Sequence, residues 1–437
     1  MNNSRYTKWA LGVAVAVLGI TAVSCDDQPD KFEMTGGVPT IKYVRVTTPE
    51  SGDSLITGAY MENTICLVGD NLRSIHEMYF NDQKAILNTS LITDHTLIVD
   101  VPKNIPEDVT DKIYMHTRDG EIVTYDFNVL VPGPAVRSIS CEWTKPGNEA
   151  TIYGDYFIDD PNKPLKITFS GNVELPYENI KKITKTAITF EVPENWTEGY
   201  MNVTTLYGTS RSSFKFHDTT NILFDWDGNN GGLATGHGWR GGVIHQDGDD
   251  EGVEALDGGY LFFSADLSGE AGATWAEDGF SFNYWPDASG EFGPLSSRPE
   301  FADLISDYGV DGLQIKFEMC IPASNPWSSC AMQIIFTGDD AVTYDTANNT
   351  YISDENVPRG LYNPWKAVGS YDTGGNWTTV SMPLSQFTFK PDGGVCGNKL
   401  NQNMLTGLTF FVWSGGVSGT DCTPVILLDN IRVVPVE

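Results

Sequence analysis

The sequence predicts an all-β protein with three β-sandwich domains in tandem. Apolar side chains alternate over short stretches such as residues 41–46 and 65–68, and turn-forming residues separate these stretches. A set of landmarks recurs 85 to 91 positions later in the chain. An amphipathic helical pattern is confined to residues 299–308. Because a single half-apolar sheet cannot bury its own core face, we expect sheets packed face to face.

The composition is that of a folded and strongly acidic protein. Of 437 residues, 40% are apolar and 19% are charged, and this length predicts two to three domains. The formal net charge is −31. So many carboxylates repel phosphate backbones and anionic surfaces, which excludes nucleic acid as a partner and favours a neutral polysaccharide over an acidic one. The same acidity also keeps an exported protein soluble, so it does not by itself identify a ligand.

Residues 1–24 predict an export signal. A basic start precedes an apolar run, residues 10–22, which is too short to be trusted as a membrane span. Ala22-Val23-Ser24-Cys25 resembles a bacterial lipobox, which implies lipidation at Cys25. The alternative is ordinary secretion with an incidental cysteine. Residues 25–37 are expected to be a tether. Its acidic start resembles the export signal of surface lipoproteins, which implies a lipid-anchored protein of the outer membrane that faces the exterior.

Residues 38–132 and 133–218 are expected to be two copies of one kind of domain. Gly69-Asp70-Asn71-Leu72 in the first corresponds to Gly154-Asp155-Tyr156-Phe157 in the second, and both have a strand that ends in Val-Pro. These landmarks resemble the IPT/TIG family of immunoglobulin-like domains, which implies two tandem Ig-like β-sandwiches. Such domains mostly serve as spacers, and the short linker between the two is rich in proline. We therefore expect a stalk.

The third region, residues 219–437, predicts a larger sandwich. Its strands are expected at the stretches 222–227, 260–263, 313–319, 332–336, 378–382, 408–413 and 425–434. One helix is expected, beginning at Pro299 and ending at Tyr308. Residues 376–384 and 426–433 resemble the last two strands of jelly-roll carbohydrate-binding modules. This resemblance implies a jelly-roll-like β-sandwich that binds carbohydrate.

The order of these parts resembles the surface glycan-binding proteins of Sus-like polysaccharide utilisation systems in Bacteroidetes. The resemblance implies a lipoprotein that binds a neutral polysaccharide, a β-glucan or a xyloglucan-like chain, and hands it to an outer-membrane glycan transporter complex. It implies contact with the membrane through the lipid anchor only, and no enzymatic activity. Two alternatives stay open here, an outer-surface glycoside hydrolase and a structural adhesin.

Tryptophans concentrate in the third region, which has eight of the eleven. Several follow glycine or proline in loop-like sequence, where a rigid indole can lie flat against a sugar ring. We expect the glycan-binding platform to include Trp239, Tyr284, Trp285, Trp327 and Trp365, with Asn283, Arg240 and Gln333 as candidate polar partners. Tyr284 continues the strand face of Phe280 and Phe282, whereas Trp285 has the opposite parity and is the better-placed platform. The alternative is that each ring only packs a loop onto the sandwich. Within strand patterns, Trp226, Trp377 and Trp413 are expected in the core.

Signatures of catalysis and of metal binding are missing from the sequence. It has no G-x-S-x-G, H-E-x-x-H or P-loop motif and no CxxC pair, so neither catalytic residues nor a cofactor are predicted. Jelly-roll modules often hold a structural calcium ion, and the resemblance raises the possibility that Asp225, Asp227 or Asp429 contributes to one. Cys320 and Cys330 lie across a predicted strand–loop–strand and are candidates for a disulfide.

Overall fold

The computed structural model describes residues 32–236, 243–270, 277–286, 293–338 and 350–436. The chain divides into two compact units, Met1–Pro132 and Gly133–Glu437. Strands make up most of the regular structure in both units, which confirms the all-β prediction. Within the described ranges, no helix is long and apolar enough to cross a membrane.

The first unit is built from short strands. These are β1 (Thr40–Val46), β2 (Gly58–Tyr60), β3 (Thr64–Asp70), β4 (Ile75–Phe80), β5 (Gln83–Lys84), β6 (Thr96–Asp100), β7 (Lys112–Thr117), β8 (Ile122–Asp126) and β9 (Asn128–Leu130). They form the antiparallel sheets β1-β3-β6 and β5-β4-β7-β8 and the parallel pair β2-β9. Burial alternates along β7, as expected for a strand with one face on the core. The core includes Leu67, Phe80 and Phe127.

The strands of residues 135–216 pair only with one another. They are β10 (Ala135–Ile139), β11 (Glu149–Asp155), β12 (Lys166–Phe169), β13 (Val173–Glu174), β14 (Ile180–Ile183), β15 (Ala187–Glu191), β16 (Gly199–Thr205) and β17 (Gly208–Phe216). Their hydrogen-bonded order is β13-β12-β16-β17-β10-β11-β15-β14, in which β10 and β17 are parallel. The rings of Phe190 and Phe216 meet the ring of Phe169 edge-on in the core.

The backbone has the same conformation at the motif shared by the two repeats, residues 69–72 and 154–157. A Cβ on Gly69 would lie 1.8 Å from a carbonyl oxygen of β1, and a Cβ on Gly154 would lie 1.8 Å from one of β10. Only glycine fits where the backbones approach so closely. Two residues further on, Asn71 and Tyr156 have φ angles of 59° and 57°. The chain therefore turns in the same left-handed way after β3 and after β11.

The strands of residues 222–435 form two antiparallel sheets. They are β18 (Ile222–Phe224), β19 (Ile244–Gln246), β20 (Gly259–Ser264), β21 (Ser281–Tyr284), β22 (Leu313–Cys320), β23 (Ala331–Thr337), β24 (Gly360–Tyr362), β25 (Thr378–Pro383), β26 (Gly407–Trp413) and β27 (Val425–Pro435). The large sheet has the order β19-β20-β27-β22-β25, with β18 also paired to β27, and the small sheet has the order β21-β26-β23-β24. The core lies between them, where Phe317 of the large sheet meets Phe410 of the small sheet at 5.7 Å. Each strand expected from the sequence is present.

Helices in the described part of the chain are short. They are α1 (Glu277–Phe280), α2 (Pro299–Tyr308), α3 (Thr350–Ser353) and α4 (Trp365–Val368). Single 3₁₀ turns occur at Pro49–Ser51, Leu72–Ser74, Thr89–Leu91, Ser170–Asn172, Tyr177–Asn179, Leu295–Ser297, Val310–Gly312, Leu384–Gln386 and Gln402–Met404. The helix predicted from the sequence is confirmed as α2, which buries Phe301 and ends at Gly309 with a φ of 64°.

A buried charge network joins residues 133–218 to the C-terminal sandwich. Glu142 accepts hydrogen bonds from Lys316 Nζ at 2.9 Å and from Arg432 Nη2 at 2.6 Å, and Arg432 Nη1 donates to Glu318 at 2.7 Å. All four side chains are at most 5% exposed. Pulling the two parts away from each other would leave these charges without partners, which is costly in a dry interior. The second Ig-like region is therefore packed onto the C-terminal sandwich and belongs to the same compact unit.

The cysteines in the described residues are free thiols. Cys320 and Cys330, the candidate pair, are both buried and unbridged. Cys320 ends β22 in the large sheet, whereas Cys330 directly precedes β23 in the small one. Cys66 and Cys141 are buried, and burial raises the pKa of both thiols.

Candidate functional site

The small sheet has one face on the core and one face turned away from it. Phe282 and Phe410 pair across β21 and β26 on the core face. Tyr284 lies on the same face, and its ring contacts the ring of Phe224 at 5.4 Å. Trp285 directly follows β21 and has the opposite parity, and it contacts Tyr351 on the outer face, as that parity predicts.

Polar side chains line this outer face, and Tyr351 covers them. The Tyr351 hydroxyl donates to Asn283 Oδ1 at 2.9 Å and lies 2.7 Å from the Thr409 hydroxyl. The same oxygen accepts a hydrogen bond from Trp285 Nε1 at 3.2 Å. Asn283, Thr409 and Trp285 have no exposed surface, and Tyr351 is 4% exposed. An amide, a hydroxyl and an indole are groups that hold sugars, but in this conformation they bind one another.

A buried arginine fixes the segment that carries Tyr351. Arg359 donates to Gln333 Oε1 at 2.6 Å and to the backbone carbonyl oxygens of Tyr351, Ile352, Asp354 and Val357. Burial lowers the pKa of Arg359 to about 10. Residues 351–357, which we term the strap, thus wrap around a cation and lie over the outer face of the small sheet. Gln333, a candidate polar partner for a sugar, is engaged in holding the strap.

The two tryptophans that follow Asn-Pro point into the protein. Trp327 has no exposed surface, and its Nε1 donates to the Ser329 carbonyl oxygen at 2.6 Å. Trp365 begins α4, and its Nε1 donates to the Cys330 carbonyl oxygen at 2.9 Å. Each indole N–H satisfies a buried backbone acceptor while the ring fills the core. Both rings therefore anchor loops.

The structure corrects four of the five predicted platform residues. Tyr284 is 3% exposed, Trp285 0%, Trp327 0% and Trp365 4%. A ring with almost no exposed surface cannot stack on a sugar, so none of the four is an open platform in this conformation. The alternative, that these rings pack loops onto the sandwich, describes them better. The fifth residue, Trp239, lies outside the described residues, as does Arg240.

Gly236, three residues before Trp239, lies beside β21. A Cβ on Gly236 would lie 2.6 Å from the Asn283 carbonyl oxygen. In the small sheet, Asn283 pairs with Thr409, close to the end of the sheet where β26 begins. Gly236, the last described residue before Trp239, therefore lies against the Phe282 ring and the backbone of β21.

The acidic residues singled out for calcium are used inside the fold. Asp225 accepts a hydrogen bond from the Gly228 backbone N–H at 2.8 Å, and Asp227 accepts one from the Gly259 N–H at 3.1 Å. Asp429 is fully buried, and burial raises its pKa well above the usual range. Among the described residues, no group of three or more His, Cys, Asp and Glu side chains is arranged to hold a metal ion. The calcium hypothesis therefore gains no support.

Comparison with known proteins assigns the C-terminal sandwich to a family. Residues 216–435, half of the chain, match the model of the surface glycan-binding protein B xyloglucan-binding domain. The chain belongs to this family. The match begins at the end of β17 and takes in both sheets, β18 to β27. Surface glycan-binding proteins are also what the order of parts resembles, so that expectation is confirmed.

The comparisons also found individual proteins that are similar to the chain. The crystal structure of the surface glycan-binding protein PbSGBP-B from Prevotella bryantii is similar at 36% identity and a TM-score of 0.76, over 92% of this chain and 100% of that chain. An IPT/TIG domain-containing protein from Bacteroides ovatus is 28% identical over 217 residues, which span 45% of this chain and 42% of that protein. The chain thus matches less than half of that relative's length. SGBP-B from a complex xyloglucan utilization locus in Bacteroides uniformis shows 16% identity and a TM-score of 0.43, over 91% of this chain and 100% of that chain.

Proposed function

We propose that the C-terminal sandwich binds a neutral polysaccharide, either a β-glucan or a xyloglucan-like chain. The observation that carries the proposal is the match of residues 216–435 to a xyloglucan-binding domain. The net charge of −31 supports a neutral ligand, because an acidic polysaccharide would be repelled.

The proposed site lies at the end of the small sheet where Gly236 approaches β21. Trp239 follows Gly236 by three residues and is the proposed stacking platform, because the other four predicted rings are buried. Asn283 marks the strand beside which this segment starts.

The proposed activity is binding without catalysis. A carboxyl group with a raised pKa is the usual acid of a glycosidase, so Glu318 and Asp429 are the groups to weigh. Burial raises the pKa of both. Neither has any exposed surface, and Glu318 accepts two hydrogen bonds from Arg432. A carboxyl group enclosed in this way cannot reach a glycosidic bond.

The proposed setting is the outer surface of the outer membrane, with the chain attached by a lipid on Cys25 and delivering glycan to an uptake complex. The lipobox-like residues 22–25 and the similarity to surface glycan-binding proteins support it. In the native host, Cys25→Ala should move the protein from the membrane pellet to the soluble fraction, whereas Cys422→Ala should not. Retention of Cys25→Ala in the pellet would contradict lipid anchoring.

Native affinity electrophoresis tests the binding proposal. A soluble form that begins at residue 26 is run through gels containing xyloglucan, mixed-linkage β-glucan or an acidic galacturonan. We expect retardation by at least one of the two neutral glucans and none by the galacturonan. Incubation of the same protein with the retained glucan, followed by chromatography of the products, should release no oligosaccharide. Release of sugar would favour the hydrolase alternative.

A further inference from the structure

A cleft of about 590 Å³ lies between the second Ig-like region and the C-terminal sandwich. One wall comes from residues 140–151, and the other comes from residues 254–256 and 371–378. Sites for small ligands typically have volumes of about 300–1,000 Å³, so the cleft has room for a bound molecule. Both walls belong to the same compact unit.

Hydrogen bonds across the base of the cleft hold its two walls together. The Thr378 hydroxyl donates to the Ser140 carbonyl oxygen at 2.8 Å, and the Thr379 backbone N–H donates to the same oxygen at 3.0 Å. At the rim, Lys145 Nζ donates to the Ala255 carbonyl oxygen at 2.9 Å. The buried charge network fixes the same joint more deeply. A ligand would therefore meet a preformed site and would not have to order it.

Trp377 is, with Tyr371, one of the two aromatic residues among those that line this cleft. Its strand pattern predicts a core residue, but the structure leaves it partly exposed as part of the cleft lining. Its Nε1 donates to the Glu254 carbonyl oxygen at 2.9 Å, which orients the ring. An oriented, partly exposed indole is the apolar surface that the buried rings of the small sheet do not offer.

The polar lining around Trp377 suits an uncharged, hydroxyl-rich ligand. The side chains of Asn148 and Asn376 are exposed, one on each wall, and an amide both donates and accepts hydrogen bonds. The charged side chains of the lining, Lys145, Glu149 and Glu254, have both signs, and Lys145 pairs with Glu254 at 3.6 Å. Neither an anion nor a cation would therefore find a concentrated counter-charge.

We propose that this cleft is a second carbohydrate site, in which a neutral sugar ring stacks on Trp377 and bonds to Asn148 and Asn376. The inference rests on the proposed function, since it takes the same polysaccharide as the ligand. The glycan would then contact the joint between the two sandwiches in addition to the C-terminal sandwich itself. Two weak sites on one chain raise the retention of a long polymer more than that of a short oligosaccharide.

Fluorine NMR of the form that begins at residue 26, labelled with 5-fluorotryptophan, tests the proposal. Trp377→Phe identifies the Trp377 resonance by its loss. Xyloglucan heptasaccharide and cellohexaose are then titrated separately into the unsubstituted protein. We expect the Trp377 resonance to shift saturably with at least one of them. In Asn148→Ala/Asn376→Ala, which alters only exposed side chains, the concentration needed for half of that shift should rise about three- to tenfold.

The outcomes separate the cleft from the proposed function. If other tryptophan resonances shift while that of Trp377 does not, the cleft is not a sugar site, although the protein still binds glycan. An unchanged titration of Trp377 in the double variant would also overturn the proposal, because the shift would then come from elsewhere. If no resonance shifts and no gel retards the protein, the proposed function fails and the cleft proposal fails with it.

Discussion

Removal of the Glu142 carboxylate is expected to weaken the joint between the second Ig-like region and the C-terminal sandwich. In the folded protein this carboxylate pairs with Lys316 and with Arg432, at 2.9 Å and 2.6 Å. In Glu142→Leu, Arg432 keeps its two hydrogen bonds to Glu318. Lys316, in contrast, is 4% exposed and loses its carboxylate partner. The variant would therefore bury a cation without compensation.

The expected loss in the free energy of unfolding is about 3–5 kcal/mol, the range for removing one partner of a buried ion pair. A second substitution, Lys316→Met, removes the stranded charge. Because a well-packed apolar pair can replace a buried ion pair at little cost, the double variant should recover about 2 kcal/mol or more. The matched control is Glu174→Gln, which breaks a pair with side chains 53% and 55% exposed and should cost less than about 1 kcal/mol.

Tryptophan fluorescence during unfolding in guanidinium chloride measures this loss. Ten of the eleven tryptophans lie in residues 133–437 and the other is Trp9, so a form that begins at residue 26 reports on the second unit alone. The reasoning is refuted if Glu142→Leu costs less than about 1 kcal/mol. It is also refuted if Glu142→Leu/Lys316→Met is no more stable than the single variant.

Three further predictions concern acidity, the strap and the glycan. Burial lowers the pKa of His217 from 6.5 to about 4, so the stability that its neutral imidazole contributes is present above pH 6.5 and is lost as the pH falls towards 4. In His217→Phe, the loss in the free energy of unfolding between these pH values should be smaller by about 1–3 kcal/mol. Equal pH profiles of stability for the variant and the unsubstituted protein would contradict this. Tyr351→Phe removes the hydroxyl that bonds to Asn283, Thr409 and Trp285. It should lower the free energy of unfolding by about 1–3 kcal/mol in the same fluorescence assay. An unchanged unfolding midpoint would contradict the claim that this hydroxyl holds the strap on the small sheet. Trp239→Ala should abolish most of the retardation in glucan gels. The control Tyr308→Ala removes a ring on α2 that is 53% exposed and should leave the retardation intact. Equal retardation of the two variants would show that Trp239 is not part of the site.

The sequence was sufficient for the fold because the relevant signals are local. Glycine at 69 and 154 reports a close backbone approach that no side chain permits, so the repeat could be found without a structure. Proline at the first position of α2 and glycine directly after its last residue mark both ends of the helix. Strand parity likewise places Tyr284 on the core face and Trp285 on the outer face.

The candidate site was harder to predict because burial depends on distant residues. Parity shows which way Trp285 faces but not that Tyr351, 66 positions later, covers it. Proline before Trp327 and Trp365 correctly indicates a break in regular structure, yet the chain turns inward there and the indoles bond to backbone carbonyls. Trp377 is the converse case, since it directly precedes β25 and lines a cleft against residues 140–151, which the local sequence pattern cannot reveal. Glu142 and Arg432 meet across 290 positions.

Isothermal titration of the form that begins at residue 26 with xyloglucan is the most direct test of the central claim, that this chain binds a neutral glycan without cleaving it. We expect saturable binding to xyloglucan or, in a parallel titration, to mixed-linkage β-glucan, with no continuing heat that would indicate hydrolysis. A competing oligosaccharide of the bound glucan should reduce the signal. The absence of binding to xyloglucan and to mixed-linkage β-glucan, or a steady heat of turnover, would contradict the account.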